Sequence, residues 1–394
     1  ELYYNDLLKG TDGKSLVQAD ITGQELENTL SYYIPSIPGC DITLTIDAKI
    51  QLIVEQALNK VMEEQQAKST TAIIMKANTG EIVAMSTKPS FDLNDVPRND
   101  PSVLLENVKN KAVVDVYEPG STFKILTMAA TLEENTANDN SRFYCGGSTT
   151  VDGERIKCWR SIGHGSQTLS EGLANSCNCV FVDLALRLGT DTFYNYFSAF
   201  GLGQKTGIEI SGESSGIIMN KDSAKRVDLA RMGFGQAIAV TPLQLITAVC
   251  SAVNGGTLYK PYLIKQIVSP DGVTVEESAV TPVRQVVSKQ TSATLNAMLE
   301  GVVSKTGKYT FVPGYEIGGK TGTSQKYENG SIARGKYVSS FIGTYPASNP
   351  EYVLLLLVDE PGTGAYYGSV VASPYAKEIF SGMFEYLNIE PDDP

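Results

Sequence analysis

Apolar residues recur along this 394-residue chain in two rhythms. Runs of β-branched and aliphatic residues between turn signals predict strands, and apolar residues three and four apart predict helices. An opening strand, Ile42 to Ile46, is followed by Asp47, a helix N-cap. The helix it opens places Ile50, Ile53, Val54, Ala57, Leu58 and Val61 on one face. Thr71 to Lys76, the turn Asn78-Thr79-Gly80, and Glu81 to Ser86 predict a hairpin. Late in the chain, Glu316 to Lys326, Tyr337 to Tyr345 and Tyr352 to Asp359 follow one another over short connections, which predicts antiparallel pairing. A last helix is expected from Pro374 to Leu387. Hairpin, helical middle, three more strands and closing helix make an α+β protein, a five-stranded antiparallel sheet covered by helices. The acidic tail, 389–394, is expected to fray.

Composition narrows the function classes. With 42% hydrophobic residues the chain can bury a large core, so disorder is excluded. Its 32 Lys plus Arg stand against 44 Asp plus Glu, and a net charge of -12 repels nucleic acid. The longest apolar run, Tyr352 to Val358, is far short of a membrane span, and no signal-like segment follows Glu1. The sequence therefore reads as a soluble fragment.

Three short segments carry candidate chemistry. Pro119-Gly120 precedes Ser121-Thr122-Phe123-Lys124, and the helix-forming run to Ala130 places Ser121 in a first helical turn. At i+3, Lys124 shares a helical face with Ser121, a nucleophile and base pair. Ser-x-x-Lys alone arises by chance about once in a chain of this length, so order and context must carry the assignment. Ser176-Cys177-Asn178 comes next. Lys-Thr-Gly occurs at Lys205, Lys305 and Lys320; the first reads as a Gly-rich turn and the second as a polar loop. Only Lys320-Thr321-Gly322-Thr323, behind Gly318-Gly319, fits an edge strand that admits a ligand backbone closely. For Lys124 to act as a base it must be neutral near pH 7, which burial and a second cation, Lys320, would favour.

With these motifs in this order, residues from about Gly39 to about Leu387 resemble the transpeptidase domain of class B penicillin-binding proteins, of the division and sporulation type. Asp41 to Asp47, Gly235 to Gln244 and Ala252 to Gly256 extend the resemblance. It implies a penicillin-binding protein fold for 41–388, with 1–40 the remnant of an N-terminal pedestal. It also implies an anchored enzyme working outside the cytoplasmic membrane, with peptidoglycan stem peptides as substrates, β-lactams as acylating agents and cell-wall synthesis proteins as partners. In that family's terms Ser121 is acylated and Lys124 is its base. Ser176 relays a proton, Asn178 holds the substrate amide, and Lys320 is the catalytic cation beside Lys124. Thr321, Gly322 and Thr323 bind substrate, with the two threonines on its carboxylate, and the oxyanion sits between the Ser121 and Thr323 N–H groups.

The six cysteines depart from the usual pattern, because Cys177 and Cys179 flank Asn178. A bridge between thiols two residues apart would close a strained ring, and a metal holds both more easily. His164, the only histidine, supplies a third ligand for zinc, and Asp152 or Cys158 the fourth. A zinc-binding subgroup of sporulation-type relatives resembles this arrangement and favours Asp152. Four protein ligands make such a zinc structural. Against it, buried cysteines often act as small hydrophobes, and Cys145 and Cys158, which flank one hairpin, form an alternative disulfide. Cys40 and Cys250 read as structural.

Rival readings are a class D-like serine β-lactamase, a non-catalytic β-lactam sensor and a zinc hydrolase. No Glu-x-x-Leu-Asn segment follows Asn178, and no signalling domain is visible. A closed ligand set leaves a hydrolytic zinc no open position.

Overall fold

The computed structural model describes every residue except 1, 25, 27–31, 307–308, 329–330 and 393–394. Two compact units divide the chain. The smaller comprises 1–45, 209–211 and 262–279, so the division falls after Thr45 rather than at residue 40, and two later segments join the N-terminal one. Its three-stranded antiparallel sheet places Ile264–Val268 between Asp41–Leu44 and Thr274–Glu277, with Ile267 opposite both Ile42 and Glu276. Lys14–Leu16 pairs separately with Tyr32–Ile34.

The larger unit is built on five antiparallel strands: β1 (Ser69–Lys76), β2 (Ile82–Lys88), β3 (Gly318–Glu328), β4 (Ser331–Tyr345) and β5 (Tyr352–Asp359). Their spatial order is β3-β4-β5-β1-β2, which leaves β3 at one edge. The β1–β2 hairpin and the late strands are thus joined where β5 pairs with β1, Leu354 opposite Ile74 and Leu356 opposite Ala72. Because both strands are buried on both faces, their centres, Ala72 to Met75 and Val353 to Val358, read as apolar runs without alternation.

Helices α1 (Ala48–Gln65) and α7 (Ser373–Leu387) cover one face. The Asp47 carboxylate caps α1 by accepting the Lys49 and Ile50 N–H groups. Ile50, Val54, Leu58 and Val61 interlock there with Ile74, Leu356, Ile379, Phe380 and Met383. Burying side chains of this size contributes about 1.5–3 kcal/mol each. On the opposite face α5 (Pro242–Val253) is buried along its whole length, with the Thr247 hydroxyl on the Met75 sulfur. Three more helices frame the site: α2 (Lys124–Glu133), α3 (Leu169–Ala174) and α4 (Asn178–Ala199). The remaining long helix, α6 (Lys289–Thr306), lies along β3. The tail is held rather than frayed as far as Asp392, whose carboxylate accepts the Glu316 N–H at 2.8 Å; Asp393 and Pro394 lie outside the described residues.

Candidate active site

Ser121 sits in a 3-10 turn, Gly120–Thr122, and the α-helix begins only at Lys124, so the serine precedes the first α-helical turn instead of lying within it. Gly120 has φ +54°, and a Cβ on it would lie 3.2 Å from the Thr323 carbonyl oxygen. A Cβ on Gly322 would likewise lie 3.1 Å from the Pro119 carbonyl oxygen. Glycine at both positions lets the turn and the edge strand meet backbone to backbone.

The second motif forms the corner between α3 and α4. Ser176 adopts the left-handed conformation, φ +50°, and Asn178 is the first residue of α4. The Lys124 amine lies 2.8 Å from the Ser176 carbonyl oxygen, 3.2 Å from Ser176 Oγ and 2.8 Å from Asn178 Oδ1. Asn178 is fixed in turn by donating Nδ2–H to the Lys157 carbonyl at 3.1 Å. Ser121, Ser176, Asn178, Lys320, Thr321, Gly322 and Thr323 line one cavity of about 500 Å³, and Lys124 is fully buried beside it. The Thr323 hydroxyl accepts the Gly368 N–H at 3.0 Å, which leaves its own hydrogen to donate. Lys205 lies in a loop, as expected, whereas Lys305 belongs to α6 rather than to a loop.

Burial lowers the Lys124 pKa to about 7, so near neutral pH a large fraction of the amine is uncharged. Lys320 is equally buried, donates to the Thr321 carbonyl at 3.0 Å, and is held well below its ordinary value by burial and then by the Lys124 charge. The expected direction of influence is therefore reversed: desolvation depresses Lys124, and the repulsion is felt at Lys320.

The turn carrying Ser121, a buried lysine bonded to a serine and an asparagine, and a Lys-Thr-Gly-Thr edge strand thus surround one cavity. The family model for the penicillin binding protein transpeptidase domain matches residues 70–381. The chain belongs to the penicillin-binding protein transpeptidase family. It is 41% identical over 394 residues to Stage V sporulation protein D of Bacillus subtilis, an alignment covering 99% of this chain and 60% of that protein. It is 30% identical over 398 residues to the peptidoglycan D,D-transpeptidase FtsI of Escherichia coli, with 100% and 64% covered. The chain therefore spans less than two thirds of either relative. Among solved structures it resembles penicillin-binding protein 3 of Mycobacterium tuberculosis complexed with aztreonam, with TM-score 0.83, 27% identity, and 99% and 90% of the two chains covered.

In this transpeptidase domain the cysteines gather beside the second motif. One ligand atom each from Cys145, Cys158, His164 and Cys177 lies within 4.8 Å of all the others. The Cys158 sulfur is 3.6 Å from His164 Nδ1 and 4.0 Å from the Cys177 sulfur, and the Cys179 sulfur is 3.6 Å from that of Cys145. Asp152 does not join them. Its turn projects it from the hairpin, half-exposed, into an ion pair with Arg226 at 3.3 Å. The favoured fourth ligand is thus Cys158 rather than Asp152, because Asp152 sits with Gly153 in a left-handed turn and pairs with Arg226 instead. All six cysteines are free thiols, so Cys145 and Cys158 are not bridged. Mutual hydrogen bonding pushes the Cys158 thiol down and raises its neighbours, Cys177 to about 11. Cys250 is buried in α5, as read, and Cys40 is half-buried.

Sequence reasoning missed Glu118, Trp159, Gln236 and Tyr367 around the site. Glu118 carried a signal, since it directly precedes Pro119-Gly120-Ser121; the others converge only through folding.

Proposed function

We propose that this domain is a peptidoglycan D,D-transpeptidase working through an acyl-enzyme on Ser121. The observation that carries the reading is the buried Lys124 amine, three residues from Ser121 and bonded to both Ser176 and Asn178. Neutral Lys124 takes the Ser121 proton as the oxygen attacks the carbonyl of the penultimate D-alanine of a stem peptide. The backbone N–H groups of Ser121 and Thr323 stabilise the resulting oxyanion, a contribution of roughly 3 to 4 kcal/mol per donor. The bond to the last D-alanine breaks, and its nitrogen receives the proton from Lys124 through Ser176. An amine from a second stem peptide then attacks the ester, gives up its proton by the reverse route, and leaves the cross-link with Ser121 restored. Asn178 aligns the donor amide, and Thr321, Thr323 and Lys320 hold the terminal carboxylate. An arriving carboxylate favours protonated Lys320, and that charge opposes protonation of Lys124.

β-Lactams acylate Ser121 by the same attack, consistent with the aztreonam complex of the mycobacterial relative. The domain works on the outer side of the cytoplasmic membrane, tethered by an anchor outside this chain, and meets other cell-wall synthesis proteins there.

A zinc ion fits the thiol cluster. Tetrahedral Zn–S bonds of 2.3 Å separate sulfurs by about 3.8 Å, close to the 4.0 Å between the Cys158 and Cys177 sulfurs. His164 Nε2 is buried without a partner among the described residues, so the ring depends on its other nitrogen for a polar contact. Cys145, Cys158, His164 and Cys177 would hold the ion, with Cys179 beside them. Its effect is structural, because Cys177 lies between Ser176 and Asn178 and tying it to the hairpin fixes both.

The test is incubation of the protein with a D-Ala-D-Ala stem pentapeptide and an acceptor peptide. Cross-linked dimer and a long-lived penicillin adduct are expected. Rapid penicillin turnover would instead establish a β-lactamase.

A further inference from the structure

Glu118 lies three residues ahead of Ser121, and its two carboxylate oxygens have different surroundings. Oε1 accepts the Ala237 N–H at 2.8 Å. Oε2 is buried and has no hydrogen-bond partner among the described residues. A buried carboxylate oxygen left unpaired is costly, so such an atom marks a place where a donor is expected. Glu118 borders a second cavity of about 730 Å³, which shares Asn178, Thr323 and Tyr367 with the cavity that holds Ser121. The two spaces are therefore parts of one substrate cleft.

The walls of this second space are aromatic. Tyr337 and Tyr366 stack with centroids 4.1 Å apart and planes 11° from parallel, and the Tyr367 ring lies 4.6 Å from that of Tyr366. A buried carboxylate and aromatic rings bordering one cavity make a receptor for a cation bearing several N–H donors. Three basic residues also border the cavity, but they do not occupy the carboxylate. Arg231 is paired with Glu154 at 2.5 Å, Arg155 donates to the Ser148 hydroxyl, and Lys157 is exposed.

We propose that Glu118 Oε2 receives a side-chain ammonium group of the stem peptide, so that this cavity selects substrates carrying a free amine beside the scissile end. The proposal rests on the transpeptidase reading and adds a specificity determinant to it. Burial raises the Glu118 carboxyl to about 7, against the lowering by the Ala237 N–H and Arg231, and an ammonium group brought beside it would restore the carboxylate form.

The experiment uses two pentapeptides ending in D-Ala-D-Ala, identical except that the side-chain amine at the third position is free in one and acetylated in the other. Release of D-alanine gives kcat/KM for each, and competition with penicillin for Ser121 gives relative affinity. The native protein is expected to favour the free amine by about tenfold to a hundredfold, the range of a charge-assisted hydrogen bond. In Glu118→Gln, which still offers an acceptor to the Ala237 N–H, that preference should fall to about one. Glu118→Asp, which keeps the charge, should retain part of it. Equal use of both peptides by the native protein overturns the proposal, as does a Glu118→Gln variant that loses activity on both alike and keeps its preference. If penicillin acylates Ser121 normally in the native protein, such a result refutes the ammonium site alone. If penicillin does not acylate it, the transpeptidase reading fails and this proposal fails with it.

Discussion

Replacing Lys124 by methionine should slow the chemistry by orders of magnitude while leaving the fold as stable as before or more so. The amine is fully buried, and its pKa of about 7 compares with 10.5 for the unperturbed side chain. At pH 7 that gap means folding must strip or desolvate a charge that the unfolded chain keeps, a penalty of roughly 4 kcal/mol. Because the folded-state value is depressed, the penalty is complete below about 7 and fades as pH rises toward 10.5. Methionine has similar length and carries no charge, so it removes the penalty. It also takes the amine from the Ser176 carbonyl, Ser176 Oγ and Asn178 Oδ1, but Ser176 and Asn178 line the open cavity, so water replaces it there and the cost is about that of one stranded acceptor, 1–3 kcal/mol. The net change near pH 7 is therefore small or stabilising, whereas loss of a general base should slow penicillin acylation by about a hundredfold to ten-thousandfold. Urea unfolding of both proteins at pH 7 and pH 10 checks the first half, and stopped-flow acylation checks the second. The native protein should gain stability between these pH values relative to the variant. A variant destabilised equally at both would refute the buried, readily deprotonated lysine.

The acylation rate of the native protein should rise about tenfold per pH unit below 7 and level off above it, following the neutral fraction of Lys124; a flat profile from pH 5 to 8 would contradict the assignment of the base. Zinc at a hundred times its dissociation constant should raise the melting temperature by about 3 °C, and a chelator should reverse this. Cys158→Ser and His164→Ala should weaken that response while Asp152→Ala leaves it unchanged, as read by thermal scans with and without metal.

Much of this architecture was legible because strand pairing followed local pattern. The β1–β2 hairpin, the three late strands and α1 with its Asp47 cap all have turn or cap chemistry adjacent in sequence. Lys320 could be chosen over Lys205 and Lys305 because only its surroundings suit an edge strand, even though Lys305 proved helical. The errors share another origin. Asp152 and Cys158 are close in sequence to the same hairpin, and which one faces the cluster depends on strand direction and the turn, which composition does not reveal. The smaller unit recruits 262–279 through pairing with Asp41–Leu44, a contact across more than two hundred residues that no local signal announces. Glu118 was passed over because its orphaned oxygen exists only once Ala237 has claimed the other.

Intact-mass analysis after brief exposure to penicillin is the most direct test of the acyl-serine site. The native protein should gain the mass of one penicillin, located on the peptide containing Ser121, and Ser121→Ala should gain none. An adduct of the same mass on the alanine variant would remove Ser121 as the nucleophile and with it the mechanism built around Lys124.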